Sequence, residues 1–151
     1  MQAPDLRLGP PRRWNVEIDG IRWLPRLLDK TRAALAGTLG TYLYGQSPID
    51  RALLGALDVR YRDLSEIVQG AASDDEVVAA LSARDPQGLE RARAWSAGLP
   101  DRSRIFLLLV DVDDGYLPGL RWLKVPVNLA TDAFCLAVKA IWPSRATQPR
   151  S

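Results

Sequence analysis

Residues Trp23 to Gly40 read WLPRLLDKTRAALAGTLG, and TYLYGQSPIDRALL follows directly. On a period of 3.6 residues, Leu24, Leu27, Leu28, Thr31 and Leu35 fall on one stripe, which is expected to face a core. Arg26, Asp29, Lys30, Ala33 and Gly37 fall on the opposite stripe. Pro25 suits the first helical position, where its missing N–H costs nothing. Gly37 then stops the helix and Gly40 marks a second turn. The segment therefore predicts a helix with an apolar and a charged side, closed by glycine and followed by a tyrosine-bearing link.

The same signals recur downstream. Ser47-Pro48-Ile49-Asp50 predicts a helix start, with Ser47 as cap, Pro48 first and Asp50 third in a variant of the capping box. That helix is expected to reach about Leu57, and another runs from near Arg60 to Gln69, stopped at Gly70. Ser73-Asp74-Asp75-Glu76 repeats the capping box and opens a helix to about Ala83. Asp85-Pro86 opens the next, which ends at Ala97 before Gly98. Asp101 is expected to cap a segment carrying IFLLLV, a run apolar all round that also suits a buried strand. VDVDDGYLPG reads as a loop, and a last helix is expected from about Pro126 to Trp142. The result is an all-α fold, a compact bundle of six to seven short helices in one domain over residues 14–143. Residues 1–13 form a proline-rich arm, flexible or laid across the surface, and 144–151 a polar tail.

Composition narrows the chemistry. The chain has 151 residues, 47% apolar and 25% charged, which suits one soluble globular domain with a real core. Net charge is only +2, so a phosphate-tracking nucleic-acid binder is not indicated. There is no histidine, which removes His general bases, Ser-His and Cys-His nucleophile pairs and His-ligated metals. The single cysteine, Cys135, sits in AFCLAV and reads as a packed thiol. One cysteine, no secretion-signal pattern and no apolar run long enough to span a membrane give a cytoplasmic expectation.

The run from Ile18 to Ile67 resembles the bacterial domain of unknown function 5069 family. The resemblance rests on Leu24-Pro25-Arg26, Asp29-Lys30, Arg32, Leu35-Ala36-Gly37, Leu39-Gly40, Tyr42, Tyr44, Pro48 and Asp50. SDDEVVAAL and ARAWSAGL are similar more loosely, and the sequence from about Leu117 onward is not anchored. The resemblance implies a helical fold and an acidic turn after an apolar stretch, and it brings no activity.

The candidate ligand-binding residues are Arg26, Asp29, Lys30, Tyr42, Tyr44 and Asp50. Helical spacing puts Asp29 within reach of Arg26, with Arg32 close by. Covered by the TYLYG link, Arg26 would clamp a carboxylate or phosphate, or hold Asp50 from the next helix. Alternating Tyr42 and Tyr44 share one face of an extended link. The architectural alternative is a buried ion-pair network with the phenols tied to polar neighbours. Asp111-Val112-Asp113-Asp114-Gly115 does not fit a calcium loop, since Gly115 takes the fifth position and Trp122 the twelfth. It reads as an acidic turn, and no metal or cofactor is implied. The last helix, with Trp122, Leu129, Phe134, Leu136, Val138, Ile141 and Trp142, is apolar on most sides and is expected to be buried. It would pack centrally or form a homodimer seam through Phe134, Ile141 and Trp142.

Two functions follow as expectations. One is a helical binding or interaction module holding a small anionic ligand near the first helix. The other is a small metal-independent enzyme using Asp and Tyr acid–base groups beside an Arg/Lys anion clamp, with no catalytic residue assigned.

Overall fold

The charged first helix has both of its long sides enclosed, and the rest of the fold is arranged around it. The computed structural model describes residues 2–141, with the backbone alone at Arg121. A two-residue hairpin, β1 (Glu17–Ile18) and β2 (Ile21–Arg22), pairs Glu17 with Arg22 and Ile18 with Ile21 across Asp19-Gly20. Both turn residues have positive φ, 52° and 72°, the conformation a tight two-residue hairpin turn demands. Then α1 (Leu24–Leu35) begins, followed by α2 (Pro48–Leu57), α3 (Tyr61–Gly70), α4 (Asp74–Arg84) and α5 (Pro86–Ala97). A single turn, α6 (Leu99–Arg102), leads into α7 (Arg104–Asp113). A 3-10 turn over Pro118–Leu120 precedes α8 (Arg121–Ile141). The chain is a single all-α domain apart from the small hairpin.

Leu24, Leu27, Leu28 and Thr31 are fully enclosed, as the period predicts. They meet Leu53 and Leu57 of α2, Leu64 of α3 and Leu89 and Ala92 of α5 in one core. Leu35, placed on the same stripe, is 48% exposed because α1 ends there. The end is a Schellman motif: Gly37 at φ +71° donates to the Ala34 carbonyl, and Thr38 donates to Ala33. Where α2 and α5 pass closest, Gly88 lies so near the Leu57 carbonyl that a Cβ would sit 2.9 Å from it. A side chain at that position would press on the α2 backbone, so the close approach requires glycine.

Several boundaries differ from the expected ones. Ser73 caps α4 by accepting from Glu76 N at 3.1 Å, and Asp85 caps α5 by accepting from Gln87 N. Ser47 makes no such bond, and Asp50 points inward instead of closing a capping box. Asp101 lies inside the single turn α6 rather than capping α7. IFLLLV is helical, and α7 continues through Asp111 and Asp113, where the sequence predicts a loop. It ends in a second Schellman motif, in which Gly115 (φ +80°) donates to Val112 and Tyr116 to Asp111. The last helix starts five residues before Pro126, which lies inside it and gives up one backbone hydrogen bond there.

The proline-rich arm makes specific contacts with the end of α1. Leu6 is buried, its N–H donates to the Thr38 carbonyl, and Thr38 Oγ1 donates to Pro4. The expectation that α8 is buried fails: Trp122, Leu129, Phe134, Leu136 and Ile141 are all exposed. Trp142 and the tail expected at 144–151 lie outside the described residues. No helix among the described residues is long and apolar enough to cross a membrane.

Candidate functional site

Each charge on α1 meets a counter-charge brought from elsewhere in the chain. Lys30 Nζ donates to both oxygens of Asp50, at 2.6 and 2.5 Å, and the two side chains are buried. Trp23 Nε1 donates to the same Asp50 carboxylate at 2.7 Å. Burial pushes the Lys30 ammonium down from its ordinary value, assisted by the neighbouring Arg26 charge and opposed by Asp50. Trp23 holds this position with φ +68°, a strained conformation for a bulky residue that costs roughly 1–3 kcal/mol. In exchange its ring lies 5.6 Å from Lys30 Nζ and 5.3 Å from the Arg26 guanidinium.

Arg26 stacks between Trp23 and Tyr42, whose ring is 5.6 Å away. Its Nη1 donates to Asp114 at 2.5 Å, and Tyr42 Oη donates to the other oxygen of that carboxylate at 2.8 Å. Burial, with Asp114 beside it, pushes the Tyr42 phenol far above its usual range, which leaves it a fixed donor. The Nε of Arg26 is buried without a hydrogen-bond partner. Asp29 does not meet Arg26 at all. It accepts from Arg12, through the backbone N–H at 2.8 Å and the guanidinium at 2.8 to 3.1 Å. Arg12 also binds Asp74, at 2.6 Å, and Arg32 closes on the same Asp74 at 2.7 Å. Arg13 and Trp14 both donate to Asp111.

Of the six candidates, Arg26, Lys30, Tyr42 and Asp50 converge on one region around Trp23. Asp29 serves the arm. Tyr44 turns away, its hydroxyl 2.5 Å from Ser65 Oγ and its ring edge-on to Tyr61. The residues missed in the sequence are Arg12, Arg13 and the carboxylates at the end of α7. Asp111 and Asp114 serve as counter-ions that a helix-ending glycine at 115 aims inward.

Beside the network lies a cavity of about 310 Å³ between α1, the 42–48 link, α7 and α8. Trp23, Arg26, Lys30 and Tyr42 border it, and Phe106, Leu109, Phe134 and Cys135 make its wall mainly apolar. Asp113 is on the same wall. Burial, together with the charges of Asp114 and Asp132, pushes its carboxyl up to about 6. Cys135 is buried, and that burial raises its thiol above the ordinary value, so the packed reading of this cysteine describes its setting.

These features define a small helical domain with an internally neutralised first helix and an adjoining apolar cavity. The chain belongs to the domain of unknown function family DUF5069, whose sequence profile matches residues 9–105. No curated protein matches the chain. The match takes in the arm from residue 9, α1 and the tyrosine link, and ends at the start of α7. The acidic turn that the resemblance led one to expect in the family falls beyond it.

Proposed function

We propose that the chain is a small-molecule-binding module whose ligand occupies the cavity beside α1. One observation carries this reading: a cavity of about 310 Å³ with a mainly apolar wall is bordered by Arg26, Lys30 and Tyr42. Arg26 and Lys30 supply polar groups beside an otherwise mainly apolar wall, where they would orient a ligand acceptor. The chemistry of that ligand is narrower than a simple anion. Arg26 and Lys30 already have Asp114 and Asp50 as counter-ions, and Asp113 adds a further carboxyl to the wall. A full negative charge on the ligand gains little there. A molecule with an apolar body and one carbonyl-type acceptor fits better, its acceptor toward Arg26 and Lys30 and its body against Phe106, Leu109 and Phe134.

Thermal shift and calorimetry with hexanamide, hexanoate and hexylamine test this. Hexanamide is expected to bind, and hexanoate only as the pH falls toward 6 and Asp113 takes up a proton. Ala130 is exposed at the cavity, so Ala130→Phe should obstruct it and remove the response without opening the core. Silence from all three probes with the wild-type chain would sink the reading.

Asp113 favours a second reading, an acid–base enzyme. A carboxyl held near 6 on a cavity wall can take and return a proton at neutral pH, which Tyr42 cannot. Hydrolysis of 4-nitrophenyl hexanoate should then show a pH limb near 6 that disappears in Asp113→Asn. An unchanged profile in that variant would discard this alternative.

A further inference from the structure

The longest helix is packed with its polar side inward. Lys139 Nζ donates to the Gly40 carbonyl at 2.9 Å, and Cys135 is buried beside it. Asn128, its amide turned to donate, reaches Asp113, and Thr131 also bonds that carboxyl. Lys124 lies over Gly115. The outward side is the reverse of an ordinary surface helix. Trp122, Val125, Leu129 and Leu136 are 58–74% exposed, and Pro126, Ala130, Ala133, Ala137 and Ala140 are exposed between them. No charged residue interrupts this stripe.

Within the stripe, Trp122, Pro126, Leu129, Ala133, Leu136 and Ala140 are spaced four, three, four, three and four residues apart, the seam spacing of paired helices. Trp and Leu alternate with Pro and Ala along it. We propose that this face is closed by a second copy of the chain, with the two α8 helices antiparallel about a two-fold axis. In the register that pairs Leu129 with Ala133 of the other copy, Trp122 meets Ala140 and Pro126 meets Leu136. Every large side chain then faces a smaller one in both directions, the self-complementarity an isologous contact requires. A parallel pair in register would set Trp on Trp and Leu on Leu, with the small residues facing voids.

Area agrees. The exposed Trp122, Val125, Leu129 and Leu136 amount to roughly 600 Å² per copy, about three quarters of one side of a standard interface, and Pro126 and the exposed alanines add to it. A lipid surface suits the stripe less well, because a membrane-lying helix carries a basic rim and both described lysines of α8 are turned to the domain. The helix lies beyond the family match, so the seam belongs to a part of the chain that the match does not cover. This seam differs from the one expected through Phe134, Ile141 and Trp142: Phe134 lines the cavity, and Trp142 lies outside the described residues.

Sedimentation of the full chain from low to high micromolar tests the proposal, with circular dichroism to confirm folding of each variant. The wild-type chain is expected to sediment as a dimer. Leu129→Glu, at an exposed site, should weaken it by about a hundredfold or more with helix content intact. Leu129→Ala should also weaken it, and adding Ala133→Leu should restore the affinity to within about tenfold, because large again meets small. A monomer at every concentration overturns the proposal, as does a dimer indifferent to Leu129→Glu. Failure of the swap to rescue overturns the antiparallel register. A monomer that floats with phosphatidylglycerol vesicles would assign the face to membrane instead.

Discussion

Replacing Lys30 by methionine tests whether the α1 network is held by paired charge. The side chain keeps its apolar length, and Asp50 is left buried with Trp23 Nε1 as its remaining described donor. Leaving one partner of a buried pair alone costs about 3–5 kcal/mol. Protonation sets a ceiling on that loss. A carboxyl with an ordinary value near 3.9 takes up a proton at pH 7 for about 4 kcal/mol, at roughly 1.4 kcal/mol per pH unit. Lys30→Met should therefore lose about 3–4 kcal/mol at pH 7. A buried carboxylate without its cation is disfavoured in its charged form, so the loss is expected to be larger at pH 7 than in acid. The deficit relative to the wild-type chain should shrink to about 1 kcal/mol near pH 4. Adding Asp50→Leu should recover most of the loss at pH 7, because an apolar pair of similar volume has no charge to desolvate. Urea unfolding of the four chains at both pH values gives the cycle. A loss below about 1 kcal/mol at pH 7, or one equal at both pH values, would refute the reasoning.

Three further perturbations have definite signs. Asp113 sits above its ordinary value in the folded chain, so the wild-type protein should lose stability as pH rises from about 4 to about 6 and then level off. Asp113→Asn should abolish that slope and add about 1–2 kcal/mol at pH 7; the full shift of about two units would give ~3 kcal/mol, reduced because the group is half exposed. Ser73→Ala should cost about 1 kcal/mol in thermal unfolding, while Ser47→Ala at the equivalent position of α2 should cost clearly less, since only Ser73 makes the cap bond. Gly88→Ala should destabilise by about 1–3 kcal/mol by forcing α2 and α5 apart, and a neutral result in urea would contradict their close approach.

The parts of the fold written in short range were legible. The core side of α1, both Pro-led helix starts at 48 and 86 and the Ser73 cap depend on residues within four positions of one another. The Asp50 reading erred because a short-range rule, the capping box, described a residue whose real partner is 20 positions away. Arg12 was invisible for the same reason: its partners Asp29 and Asp74 are 17 and 62 positions distant. Gly115 could have been read as Gly37 was, as the residue closing a helix, which would have turned the acidic loop into the end of α7. For α8, periodicity finds the apolar stripe but not the direction it faces. That direction depends on Gly40 and Asp113, which receive its polar side.

Arg13 and Arg26 lie inside the stretch that matches the family, and their counter-ions Asp111 and Asp114 lie past its end. The matched region is thus not electrically self-sufficient in this chain. Cutting after residue 105 would strand a guanidinium between two aromatic rings and release the arm at Arg13, so the recognised segment should express as an unstable fragment.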